Sequence, residues 1–230
     1  MVTAILLAGG KGTRMGTSKS KQFIEIKDKP ILYYTIKLFM DNDLIDNIIL
    51  VLSKDDTEYC KNEVLKKYNL KVNKIVEGGS ERQESVYNGL LAVNNSDIVL
   101  IHDAARPFTS ERIINDSIKY AKKYKATAPG VMPKDTIKIK NEKNFSVETL
   151  DRKKLVSIQT PQAFDYNMIY ECHSKVKEMG ISVTDDTMVA ELFGNEVYIF
   201  QGEYTNIKIT TPEDMILACL LYTSPSPRDA

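Results

Sequence analysis

The chain has 230 residues, of which 43% are hydrophobic and 27% charged, with Lys+Arg and Asp+Glu equal at 31 each. That length is enough for one large α/β domain or two small ones with a substantial core. The balanced charge excludes a surface built to coat a polyanion or a membrane, and no apolar run approaches the roughly 20 residues that span a bilayer.

Met1 runs directly into an apolar segment with no cationic-then-apolar leader, so the expected compartment is the cytoplasm. The segment Ile5, Leu6, Leu7 reads as a buried strand. It gives way to a loop containing Gly9, Gly10, Gly12 and Gly16 and carrying Lys11, Arg14, Lys19 and Lys21. Glycine lets a backbone approach a ligand closely, and cations on the same loop can neutralise a polyphosphate. A nucleoside triphosphate site is therefore expected here; the alternative is a plain turn with solvated cations. The Walker A pattern fails because no Gly-Lys-Ser/Thr closes the loop. The dinucleotide fingerprint fails because Met15 stands where a third glycine belongs.

Further along, β-rich apolar runs at 3–7, 47–52, 73–76, 98–102, 127–132 and 197–200 alternate with helical periodicity at 31–40, 57–68, 81–93, 111–123 and 166–179. This alternation predicts an α/β fold with a mostly parallel sheet. Pro30 and Pro107 stand where the chain should change direction. In such sheets ligands sit beyond the carboxyl ends of the strands, where the loops after Leu7, Val76 and His102 should meet. The cysteines Cys60, Cys172 and Cys219 each fall on an apolar helical face and read as buried structural thiols. Cys172 and His173 alone make no zinc site, and no structural metal is assigned.

The loop at 78–86, GGSERQESV, leads from a strand into a helix. Its N–H groups could meet an anion or a base, and Ser80 with Gln83 or Glu84 could equally be an N-cap. In HDAARPF, Asp103 follows an apolar strand and is a natural Mg²⁺ ligand, Arg106 could hold a phosphate bidentately, and His102 reads as structural. The charged segment 134–157, with apolar residues Ile137, Ile139, Val147 and Leu150 about a turn-like NEKN, fits a projecting hairpin arm, or else a disordered insertion. Asp185 and Asp186 could cap a helix or join a substrate pocket. Lys208 lies in a β-like NIKIT, where a lysine is commonly solvated. An apolar helix at 215–221 is expected to stop before 222–230, YTSPSPRDA, a frayed tail or a stretch foreign to the natural protein.

Taken together, LAGGKGTRMG, KQF, GGSERQESVYNGL, HDAARPF, PKDTIK, LDR, TPQAF, TDD and NIKIT, in this order over residues 3–221, resemble the cytidylyltransferases that make CDP-polyols. Ala104–Ala105 and Asp135–Thr136 resemble the branch acting on 2-C-methyl-D-erythritol 4-phosphate more than the branch acting on ribitol 5-phosphate. The resemblance implies a single Rossmann-like nucleotidyltransferase domain over 1–221, and in-line attack of a polyol phosphate on the CTP α-phosphorus with Mg²⁺ or another divalent cation. It implies Arg14, Lys21, Arg152 and Lys208 as catalytic residues. It places CTP on Ala8, Gly9, Gly10, Gly12, Gly79, Ser80, Ser85 and Asp103, the metal on Asp103, and the polyol phosphate on Asp103, Arg106, Thr136, Arg152, Thr184 and Lys208. It further implies a homodimer in which the arm, with Thr136 and Arg152, serves the partner's site, and it implies neither nucleic acid nor membrane as a partner.

Three positions depart from the family's usual residues. Gly9 stands for a frequent alanine, which the loop should tolerate; Ser20 stands for the usual proline, leaving the approach of Lys21 less rigid; and Ser80 stands for a common aspartate. A sugar-1-phosphate nucleotidyltransferase would share the opening loop without the arm or the NIKIT lysine. A nucleotide-binding regulator without catalysis would not need Arg14, Lys21, Asp103, Arg152 and Lys208 together.

Overall fold

The computed structural model describes residues 1–10 and 20–223. Strand β1 (Val2–Ala8) is buried almost throughout, as expected of a parallel strand covered on both faces. A separate short hairpin follows it, β2 (Glu25–Ile26) antiparallel to β3 (Lys29–Pro30). β1 itself pairs in parallel with β4 (Asn47–Leu52) on one side and β6 (Ile98–Asp103) on the other, and β5 (Lys74–Glu77) adds beyond β4. On the far side of β6 lie β11 (Gln162–Asp165), antiparallel to it, and then β7 (Ala126–Val131). β10 (Ser157–Ile158) continues the antiparallel pairing along β7, and β12 (Tyr198–Gln201) covers the other flank of β7 in parallel. Among the described residues the fold is thus an α/β one about a mixed, mostly parallel sheet of eight strands.

Period-two alternation splits the core between two faces. Ala4, Leu6, Ile48, Leu50 and Leu52 pack beneath α1 (Ile31–Met40), α2 (Thr57–Tyr59, continuing as a π-helix over Cys60–Lys66) and α4 (Glu111–Tyr124). Ile5, Ile49 and Val51 face α3 (Arg82–Leu91), α5 (Tyr166–Met179) and α6 (Asp186–Leu192). Local signals set the ends: Ser110 caps α4 by accepting from Ile113 N–H, Asp165 caps α5 through Met168 N–H, and α5 stops at Gly180 with φ +62. Among the described residues no helix is long and apolar enough to cross a membrane.

Several expectations shift. The expected elements do not include β10 and β11, which the polar QTPQ stretch joins, nor α6 itself, of which only a possible cap at Asp185 or Asp186 is expected. NIKIT is irregular rather than a strand, because its backbone bonds go to another loop, as Ile209 N–H does to Ala105 O. Cys219 is exposed, unlike Cys60 and Cys172. Its helix α7 (Pro212–Thr223) turns Ala218 and Met215 inward and leaves Ile216, Leu217, Cys219 and Leu220 to solvent. That helix also includes Tyr222 and Thr223, past the expected stop at Leu221. The expectations placed on Lys11, Gly12, Arg14, Met15, Gly16, Lys19 and 224–230 lie outside the described residues.

Candidate active site

β1, β5 and β6 are parallel and end at Ala8, Glu77 and Asp103, so their following loops share the carboxyl edge of the sheet. Asp103 is only 8% exposed and lies among three cations. Lys208 Nζ is 2.8 Å from Oδ2, Arg82 Nε 3.5 Å from Oδ1 and Arg106 Nε 3.8 Å from Oδ2. Burial alone would push the carboxyl up, but Arg82, Lys208 and Arg106 outweigh it and hold the group well below the usual carboxylate range. Asp103 is therefore an anion at any pH near neutral.

The cations are themselves held. Arg106 Nη1 donates to Asn206 O at 2.7 Å. Asn206 is fully buried, donates to Thr160 O and accepts from Thr109 Oγ1. This seats the 206–209 segment on the loop after β6 and delivers Lys208 to Asp103. Lys208 is thus an ion-paired lysine with 38% of its side chain exposed. Arg82 also bonds buried Asp186 at 2.7 Å, and His173 Nε2 lies 3.2 Å from the other Asp186 oxygen. Burial would raise the Asp186 carboxyl, but Arg82 and the His173 bond keep it low. Asp185 caps α6 through Met188 N–H, so the aspartate pair divides into a cap and a buried anchor. Thr184 is exposed at the entrance to that helix.

His102 is completely buried. Its Nε2 faces Arg106 O at 3.3 Å, and Nδ1 faces Thr160 Oγ1 at 3.0 Å. Arg106 O can only accept, so Nε2 carries the proton and Nδ1 accepts from Thr160, whose oxygen in turn accepts from Asp103 N–H. Burial, partly offset by Asp103, pushes the imidazole down to about 3. A neutral, fully bonded ring positions the Asp103 backbone and has a structural role.

The loop before α3 closes on itself. Gly79 N–H donates to Ser85 Oγ, which donates to Glu81 O. Ser80 N–H and Oγ both donate to Glu84. Ser80 is not the N-cap: Glu81 holds that position and makes no side-chain capping bond. A Cβ on Gly79 would fall 2.2 Å from the Glu84 side chain, so this turn requires glycine. At Gly9 a Cβ would meet Ser53 N at 3.6 Å, ordinary contact that accommodates alanine. Ala8 is buried at the end of β1 and Gly10 is exposed. Lys21 opens a 3₁₀ turn over Lys21–Phe23.

The segment after β7 forms a hairpin of β8 (Lys138–Lys140) and β9 (Ser146–Thr149), exposed along its whole length. Thr136 is exposed at its base, and Arg152 donates to Lys134 O. Among the described residues neither bonds to Asp103, Arg106 or Lys208 of its own chain. The chain rejoins the sheet at Ser157.

The structure therefore gathers Asp103, Arg106 and Lys208 and leaves Thr136 and Arg152 apart. It adds Arg82, Thr160 and Asn206, which the residue reading did not single out, and it makes Asp186, expected as a cap or a pocket residue, a buried partner of Arg82. Among the described residues no three His, Cys, Asp or Glu side chains are grouped for a metal. A lone ionised carboxylate suits a hydrated hard cation that arrives with phosphate oxygens, rather than a protein-built cage.

Comparison with known proteins identifies the family of the chain and its fold. The family model "IspD: 2-C-methyl-D-erythritol 4-phosphate cytidylyltransferase" matches residues 2–224. A Clostridium beijerinckii protein named 2-C-methyl-D-erythritol 4-phosphate cytidylyltransferase is 66% identical over 218 residues, covering 95% of this chain and 96% of its own. The crystal structure of a 4-diphosphocytidyl-2C-methyl-D-erythritol synthase from Anaerococcus prevotii superposes with a TM-score of 0.86 at 37% identity, covering 97% of this chain and 96% of its own. The Thermus thermophilus 2-C-methyl-D-erythritol 4-phosphate cytidylyltransferase gives 0.80 at 27% identity, covering 97% and 100%. The chain belongs to the 2-C-methyl-D-erythritol 4-phosphate cytidylyltransferase family.

Proposed function

We propose that this chain joins CTP to 2-C-methyl-D-erythritol 4-phosphate, releasing pyrophosphate in the course of isoprenoid precursor synthesis in the cytoplasm. A phosphate oxygen of the polyol attacks the CTP α-phosphorus, a new P–O bond forms, and the α–β bridging bond breaks opposite it. Both partners are anionic and no protein nucleophile is needed, so the protein's task is to position them and offset charge. The observation that carries this reading is Asp103 at the carboxyl edge, ionised and ringed by Arg82, Arg106 and Lys208.

In this reading the backbone from Ala8 to Gly12 cradles the triphosphate, and Gly79, Ser80 and Ser85 meet the cytidine. Arg14 and Lys21 meet the charge that grows on the α-phosphate in the transition state. Arg106, Thr184 and Lys208 hold the polyol phosphate. Asp103 would hold Mg²⁺ or another divalent cation, which supplies charge neutralisation on the phosphates when bound. One nucleotidyltransferase domain spans 1–221, and its arm completes a neighbouring site with Thr136 and Arg152, making the working unit a homodimer. The exposed hairpin, whose Thr136 and Arg152 do not meet the Asp103 cluster of their own chain, supports that arrangement. Arg14→Ala and Lys21→Ala test the assignment: each should cut turnover at least about a hundredfold with the fold intact, and unchanged turnover in either would remove that residue's role.

A further inference from the structure

Asp56 lies in the turn after β4 and belongs to none of the motifs above. Its carboxylate accepts from Ser20 Oγ at 2.8 and 2.9 Å, from Gln22 Nε2 at 3.0 Å and from Ser53 Oγ at 2.7 Å. Ser20 and Gln22 are the two neighbours of Lys21, so one carboxylate grips the chain on both sides of that lysine. Gln22 is 3% exposed, and Phe23 packs edge-on against Tyr59 at 4.8 Å between ring centroids. Phe23 N–H to Ser20 O at 2.9 Å closes the 3₁₀ turn that carries Lys21. The Asp56 turn is fixed in its own right, by Asp56 N–H to Ser53 O and Cys60 N–H to Asp56 O.

We infer that Asp56 is a positioning residue that sets the backbone beneath Lys21, and that Ser20 is this chain's means of engaging it. The Ser20 hydroxyl ties the chain just before the lysine to a carboxylate, and Ser20 has φ −58, a value proline also adopts. The expectation of a looser approach is thereby answered by a second route to rigidity. A cation on a flexible stem offsets transition-state charge only if its base is held, since a displacement of about 1 Å can cost a hundredfold in rate.

The inference rests on the catalytic role proposed for Lys21, and a coupling experiment separates the two. Turnover is measured with CTP, Mg²⁺ and 2-C-methyl-D-erythritol 4-phosphate for Ser20→Ala, Asp56→Asn and Ser20→Pro, and for the first two combined with Lys21→Ala. Ser20→Ala and Asp56→Asn should each lower kcat at least about fivefold with KM for both substrates nearly unchanged, while Ser20→Pro keeps activity. In the Lys21→Ala background neither should lower kcat further, because the group they position is gone. Full kcat in Ser20→Ala, or the same loss repeated on top of Lys21→Ala, would overturn the inference. Intact turnover in Lys21→Ala alone would overturn the role given to Lys21 instead.

Discussion

The ammonium of Lys208 sits 2.8 Å from Oδ2 of Asp103, joining a segment near the end of the chain to the carboxyl tip of β6. Lys208 is the most exposed of the three cations around that carboxylate, with 38% of its side chain open against 30% for Arg82 and 11% for Arg106. It is the one best placed to turn toward an arriving phosphate. Lys208→Met should lower kcat/KM for the polyol phosphate at least about a hundredfold. Asp103 keeps Arg82 and Arg106 as partners, and a pair whose lysine is this open contributes no more than about 1 kcal/mol, so the variant's melting temperature should stay close to the parent's.

Asp103→Asn should behave differently. It leaves Arg82, Arg106 and Lys208 facing one another around a neutral amide in a buried setting. Loss of activity should come with a fall in stability of about 3 kcal/mol, on the scale of breaking a buried pair from one side. Urea unfolding near neutral pH measures it; an unchanged midpoint would show that the three cations find other partners.

His102 gives a pH signature. Its folded value of about 3 lies below the ~6.5 of an unfolded histidine. Between those limits the unfolded chain binds a proton that the folded chain excludes. The stability it contributes is complete above about pH 6.5 and is lost as pH falls toward 3, at up to about 1.4 kcal/mol per unit. Asp103 and Asp186 are also held low, so their contribution is present above about pH 4 and is lost below it. His102→Asn should flatten the unfolding profile between about pH 6.5 and 4.5; a profile as steep as the parent's would point to another group.

The arm is tested by mixing. Arg152→Ala and Lys208→Ala should each be inactive alone. A mixed dimer would hold one site with an intact Lys208 and the partner's intact Arg152. Random reassortment should then restore about a quarter of the parent rate. No recovery in mixed dimers shown to have formed would mean that Arg152 serves its own subunit.

The regular elements were legible where periodicity and caps agreed. The spans 31–40, 47–52 and 166–179 read from the sequence match α1, β4 and α5 to the residue, and Pro30 and Asp165 flank the two helices. β11 was not legible, because its polar flanks and antiparallel entry into a parallel sheet mask two apolar residues, Ala163 and Phe164. Asp103 could be located from its strand. Its surroundings could not, since Arg82 reaches Asp186 across 104 positions of sequence and Asn206 reaches Thr160 across 46. Such pairings follow from how the loops pack and leave no periodic trace in the residues. Cys219 departs from its expected burial for a related reason: an apolar helical pattern does not say which part of the face finds a partner.

The most direct measurement is pyrophosphate release from CTP and Mg²⁺, with 2-C-methyl-D-erythritol 4-phosphate and ribitol 5-phosphate offered in parallel. Rapid release with the first and little with the second is expected. Preference for ribitol 5-phosphate, or release with neither despite CTP binding, would contradict the assigned reaction.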